Sequence, residues 1–75
     1  MSDYMTDQDI ESICKKVSRG AKLYFGRDHA GREKIKLVHG PFGIFTERYQ
    51  LDHDSMGRLK AKLNSEKIQV AWALL

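Results

Sequence analysis

The side chains able to do acid–base or metal chemistry are few and scattered: His29, His39, His53, the lone Cys14 and the run Asp52-His53-Asp54. Imidazole, thiolate and carboxylate are the usual metal ligands and proton carriers, so any such centre would draw on them. Their spacing matches no HExxH pair, no paired-cysteine set and no EF-hand loop. Asp52 is better employed as a helix cap, and neighbours at a helix start point in different directions, so the run does not converge. Cys14 falls on the apolar stripe of a helix, where a thiol acts as a small buried hydrophobe. No catalytic centre, metal or cofactor is expected, and the chain reads as a non-enzymatic one.

The remaining chemistry is electrostatic. The chain carries a formal charge of +3 with a pI near 9.2, which permits a polyanionic partner. The excess is local: residues 1–20 hold three bases and four acids, residues 21–48 six and three, and residues 49–75 four and three. The candidate binding surface therefore lies in the middle of the chain.

The elements that position these groups follow from periodicity. Thr6 is placed to cap a first helix, with Asp7 and Asp9 in its first turn, Met5 and Ile10 as a staple, and Ile10, Ile13, Cys14 and Val17 as its apolar stripe. Lys15, Lys16 and Arg19 complement its last turn, and Gly20 stops it. From Ala21 the period becomes two: Ala21, Leu23 and Phe25 oppose Lys22 and Tyr24, giving a strand. After the turn "GRDHAGR", Ile35 and Leu37 oppose Lys34 and Lys36, and a second strand closes a hairpin. Phe45, Tyr49 and Leu51 alternate with Thr46 and Arg48 in a third strand. Glu47 is discordant on its apolar side, and a bulge, an exposed edge or a base from a helix would accommodate it. Asp52 caps a second helix stapled by Leu51 and Met56, with Met56, Leu59 and Leu63 inward and Gly57 weakening it by about 1 kcal/mol. In "KIQVAWALL" the alternation of Ile68, Val70, Trp72 and Leu74 predicts a fourth strand.

The expected architecture is one small α+β domain spanning residues 1–75, in the order α-β-β-β-α-β. A mostly antiparallel sheet has two helices packed on one face. A single cysteine, the absence of a signal-like start and the lack of a bilayer-length apolar run make a cytoplasmic protein, without membrane contact, the expectation.

If the odd residues of the first three strands face the helices, Lys22, Tyr24, Lys34, Lys36, Thr46 and Arg48 share the other face with Gln69. Bases around an aromatic can neutralise phosphates and stack a base, as in sheet-type RNA and single-strand binders. Arg27, His29 and Arg32 sit on the hairpin tip, a shape suited to a DNA groove. The candidate nucleic-acid contacts are thus Lys22, Tyr24, Arg27, Arg32, Lys34, Lys36 and Arg48. Against this stands the solvated side of a one-sided sheet, where such residues are ordinary. The alternative function is a protein-binding adaptor, inhibitor or homodimer. It would act through the Val38/Ile44 side of that face, or through a sheet edge lined by Ala71, Ala73 and Leu75. Arg58, Lys60 and Lys62 do not form one stripe at helical spacing.

The helix, three strands, helix order resembles double-stranded RNA-binding domains. Where those domains carry lysines at the start of the second helix, however, this chain has Asp52-His53-Asp54. Acid there repels phosphate, so no function follows from the resemblance. The stretch "KLVHGPFGIF" has neither the helical flanks of a GxxG clamp nor the lysine and hydroxyl of a P-loop. It reads as a strand connection, with Pro41 at the second position of a turn and glycines supplying positive φ.

Overall fold

The computed structural model describes residues 4–68 and 70. Thr6 opens α1 (Asp7–Ser18): its hydroxyl accepts from the Asp9 N–H at 3.2 Å, while the Asp9 carboxylate accepts from the Thr6 N–H at 3.1 Å. This reciprocal box satisfies two otherwise orphaned donors. Met5 and Ile10, the staple pair, are both buried. Gly20, at φ +109, takes the chain out of the helix through a conformation that a β-carbon would oppose.

Three strands follow, β1 (Lys22–Arg27), β2 (Glu33–His39) and β3 (Phe45–Gln50), in an antiparallel sheet of order β1-β2-β3. Asp52 then caps α2 (His53–Ser65), its carboxylate accepting from the Ser55 N–H at 2.7 Å. The cap carboxyl is held below its ordinary range, first by hydrogen bonds from Ser55, from its side chain and then its backbone.

The pairing register decides which side chains meet. Leu23, Leu37 and Glu47 lie abreast across the strands, as do Phe25, Ile35 and Tyr49, and these two rows share one face. Leu23, Phe25, Ile35 and Leu37 join Ile10, Ile13 and Cys14 of α1 and Met56, Leu59 and Leu63 of α2 in a single buried cluster. Each fully buried Leu or Ile there is worth about 1.5–3 kcal/mol, so both helices are held against that face. The helix ends are also tied by polar contacts. The Met5 N–H donates to the buried Ser55 hydroxyl at 2.9 Å, and Arg58 donates to the Met5 carbonyl at 2.6 Å and pairs with Asp7. The small α+β fold with two helices on one sheet face is therefore as expected. Of the expected fourth strand, Ile68 and Val70 pack against the core. Residues 69 and 71–75, with Gln69, Ala71, Trp72, Ala73 and Leu75, lie outside the described residues. No helix among the described residues is long and apolar enough to cross a membrane.

Candidate nucleic-acid interface

Because side chains alternate, the residues between the buried rows face away from the helices. They form three rows across the sheet: Lys22, Val38 and Thr46; Tyr24, Lys36 and Arg48; Gly26, Lys34 and Gln50. The face carries four bases and no acid. Among the described residues, Lys22, Lys34, Lys36 and Arg48 have no ion-pair partner. Lys15, Lys16, Arg27, Arg32, Arg58 and Lys62 each have one. Since the whole chain is only +3, everything outside this face sums to about −1.

The bases are close. Lys36 and Arg48 are directly opposed, which sets their β-carbons about 4.5–5.5 Å apart, and Lys34 follows Lys36 on the same side about 7 Å along the strand. The Lys36 ammonium lies 5.3 Å from the centroid of the Tyr24 ring, a cation–π contact that already engages this aromatic. A shallow groove of about 410 Å³ runs between Lys34, Lys36, Arg48, Gln50 and Asp28. It is floored by the Ile35–Tyr49 pair, whose side chains turn to the other face.

The hairpin tip differs. Arg27 donates to the Gly31 carbonyl at 3.0 Å and pairs with Glu33 at 3.4 Å. Asp28 accepts from the Arg32 backbone N–H and from Arg32 Nε, both at 2.9 Å, and from the Ala30 N–H at 3.0 Å. These hydrogen bonds, led by the Arg32 backbone, hold the Asp28 carboxyl below its ordinary range. The structure therefore brings Lys22, Tyr24, Lys34, Lys36 and Arg48 together and leaves Arg27 and Arg32 apart, each bound to an acid that closes the turn.

The discordant Glu47 is resolved on the helix side of the sheet. Lys16 of α1 reaches across to both of its carboxylate oxygens at 3.2 Å, Tyr49 donates its hydroxyl at 2.7 Å, and His39 Nε2 lies 2.5 Å away. Of the three accommodations open to this residue, a base from a helix is the one realised. With 19% of its side chain exposed, Glu47 keeps a depressed pKa, led by the Tyr49 hydrogen bond and followed by those from His39 and Lys16. Burial, then Glu47, push the Tyr49 hydroxyl up to about 12. The cluster is a satisfied polar patch at the edge of the core.

The β2–β3 connection holds the least expected feature. Pro41–Gly43 forms a short 3-10 turn in which not only Gly40 (φ +75) and Gly43 (φ +65) but also Phe42 (φ +64) adopts left-handed backbone. A β-carbon in that region costs roughly 1–2 kcal/mol, and the side chain recovers nothing by burial because Phe42 is fully exposed. Ile44 and Phe45 are also exposed, at 78% and 59%. The sequence signal for this is a Gly-Pro-Phe-Gly turn in which Pro41 and an aromatic stand between the two glycines that tolerate such backbone.

The remaining candidates are dispersed. His29 is exposed at the tip, and His53 Nδ1 is 3.5 Å from Glu33 Oε2, a buried oxygen with no hydrogen-bond partner among the described residues. Cys14 is buried, and that burial pushes its thiol up. Arg58 and Lys62 are ion-paired, and Lys60 lies over the Phe25 ring at 5.6 Å. No three His, Cys, Asp or Glu side chains among the described residues gather as a metal site. Comparison with family models, curated proteins and solved structures finds no match to this chain.

Proposed function

We propose that this domain is a non-enzymatic module that binds nucleic acid through the outer face of its sheet. The observation that carries the reading is the set Lys22, Lys34, Lys36 and Arg48: four bases in three adjacent rows that hold no acid, with no ion-pair partner among the described residues and with Asp28, already engaged by Arg32, at the end of their groove. Cations left unneutralised at close spacing repel one another, so apart from the Lys36–Tyr24 contact the fold alone gains nothing from gathering them. A polyanion laid across the sheet relieves that repulsion and releases its own counterions. Arg27 and Arg32 make a smaller contribution, since each must first give up an acid. A nucleic-acid partner also suits a cytoplasmic protein with one buried, unpaired cysteine.

The test is a salt titration by fluorescence anisotropy with labelled oligonucleotides. Four phosphate contacts on a single strand give a log–log slope near −3, at roughly 0.7 per contact. Alanine at Lys34, Lys36 and Arg48 together should remove most of it. Absent or salt-independent binding overturns the reading.

A second reading, a protein partner or a second copy of the chain, is favoured by one observation: Phe42, Ile44 and Phe45 are all exposed at one strand connection. A molecular-mass measurement addresses it. A complex dispersed by Ile44→Glu supports it, and a strict monomer counts against it.

A further inference from the structure

We infer that Phe42 is a base-stacking residue, and that the partner of the outer sheet face is therefore an unpaired strand rather than a duplex. The inference rests on the reading of that face as a nucleic-acid interface and specifies its ligand.

Three observations converge on Phe42. Its ring is fully exposed, with no ring contact among the described residues, whereas the Tyr24 ring already carries the Lys36 ammonium. Its backbone is held in the left-handed region between Pro41, whose φ is fixed, and Gly43. The connection also lies beside the basic face, because the Gly43 backbone sits over Val38: a β-carbon built there would stand 3.2 Å from Val38 Cγ1. Val38 shares its row with Lys22 and Thr46 on the outer face, so the turn continues the surface that carries the bases.

The exposed apolar residues do not make one protein-docking patch. Phe45 is aligned with His39 and turns to the helix side, their ring centroids 5.4 Å apart. What remains is Phe42 with Ile44, exposed on a turn whose Gly43 lies against Val38, next to a row that includes Lys22. The centres of protein interfaces are depleted in charge, whereas a stacking aromatic beside lysines is how single strands are held. Only an unpaired nucleotide offers its π-face, since in a duplex both faces are stacked. A backbone already set by its Pro41 and Gly43 neighbours also loses little freedom on binding.

The test compares a short oligouridylate, an oligothymidylate of equal length and an RNA duplex, each labelled, against the wild type and Phe42 variants. The expected result is that the single strands bind more tightly than the duplex and that Phe42→Ala loses at least about fivefold on them without changing the salt slope. Phe42→Trp should retain affinity. The two single strands separate RNA from DNA as the source of the stacked base. Phe42→Asn, which accepts left-handed backbone, should lose affinity while raising Tm by roughly 4–8 °C, a gain a merely structural role would not produce.

If Phe42→Ala binds like the wild type while the triple alanine variant at Lys34, Lys36 and Arg48 still fails, the stacking role is wrong and the basic face stands. If the duplex binds as tightly as the single strands, the unpaired-strand assignment is overturned. If no nucleic acid binds in a salt-dependent way, both readings fall together. Loss of self-association in Phe42→Ala with unchanged oligonucleotide binding gives the residue to a protein contact instead.

Discussion

Glu47 and Arg48 are neighbours on β3 and live in opposite electrostatic worlds. Glu47 turns toward the helices and takes hydrogen bonds from Lys16, His39 and Tyr49. Arg48 turns outward and finds Lys36 directly across the sheet, with no ion-pair partner among the described residues. One residue's step in a strand thus moves a charge from a neutralised cluster that serves the fold to an unneutralised one that we propose serves a partner. Charge on the helix side is there for stability. Charge on the outer side should be removable without cost to folding, and mutants can test each half.

The largest expected effect is on binding. Replacing Lys34, Lys36 and Arg48 by alanine lowers affinity for a single strand about a hundredfold near 0.1 M salt, since each phosphate contact is worth roughly 0.7 of a log unit there. Unfolding in urea should change by no more than about 0.5 kcal/mol per site, the usual range for surface positions. A large loss of stability in this variant would mean that the outer bases hold the sheet together, and the contrast between the faces would collapse.

Glu47→Gln is the mirror experiment. It removes the charge that three donors share and should destabilise the fold by about 1.5–3 kcal/mol, with oligonucleotide binding by the folded protein unchanged. The pH dependence follows from the depressed Glu47 pKa. A folded carboxyl that resists protonation contributes stability that is complete above its unfolded value, about 4.3, and is lost as pH falls through the lower folded value. The acid limb of the stability curve should therefore flatten in Glu47→Gln. Equal acid limbs in the two proteins would remove Glu47 from the account.

Tyr49→Phe probes the same cluster from its other side, at about 1 kcal/mol for one lost hydrogen bond. Here the folded pKa, about 12, lies above the unfolded value of about 10, so the contribution is full below the unfolded value. It declines as pH rises from there toward about 12. Urea midpoints measured across that alkaline range should fall for the wild type and stay flatter for the variant.

Much of this contrast was legible in the chain itself. Alternation in the strands separated Leu23, Phe25, Ile35 and Leu37 from Lys22, Tyr24, Lys34, Lys36 and Arg48, because a period of two leaves no freedom about which residues share a face. Thr6 and Asp52 announced their helices because a cap is a local hydrogen bond, readable within a few residues. The partner of Glu47 was not legible. Lys16 meets it across 31 residues of chain, through the placement of α1 on the sheet, which no local pattern encodes. The pairing of Arg27 and Arg32 with acids of their own turn also depends on its closure, not its composition. The Phe42 backbone is not legible for a different reason: residue type assigns positive φ to the flanking glycines, yet the turn Pro41–Gly43 imposes it on Phe42 as well.

The smallest effect is the most discriminating, because its sign is opposite to that of its neighbour's. Arg48→Gln deletes one of two like charges facing each other across β2 and β3 while leaving the Lys36–Tyr24 contact in place. Directly opposed like charges destabilise a sheet pair by roughly 0.2–1 kcal/mol, so the variant should be more stable than the wild type by a few tenths of a kcal/mol at low ionic strength. The advantage should fade as salt screens the wild-type repulsion, the Debye length shrinking to about 10 Å at 0.1 M and about 3 Å at 1 M. Urea unfolding of both proteins at low and high salt measures it. If Arg48→Gln instead destabilises the fold at low salt, Arg48 is held by an attraction, and the outer face is not the unneutralised surface that nucleic-acid binding requires.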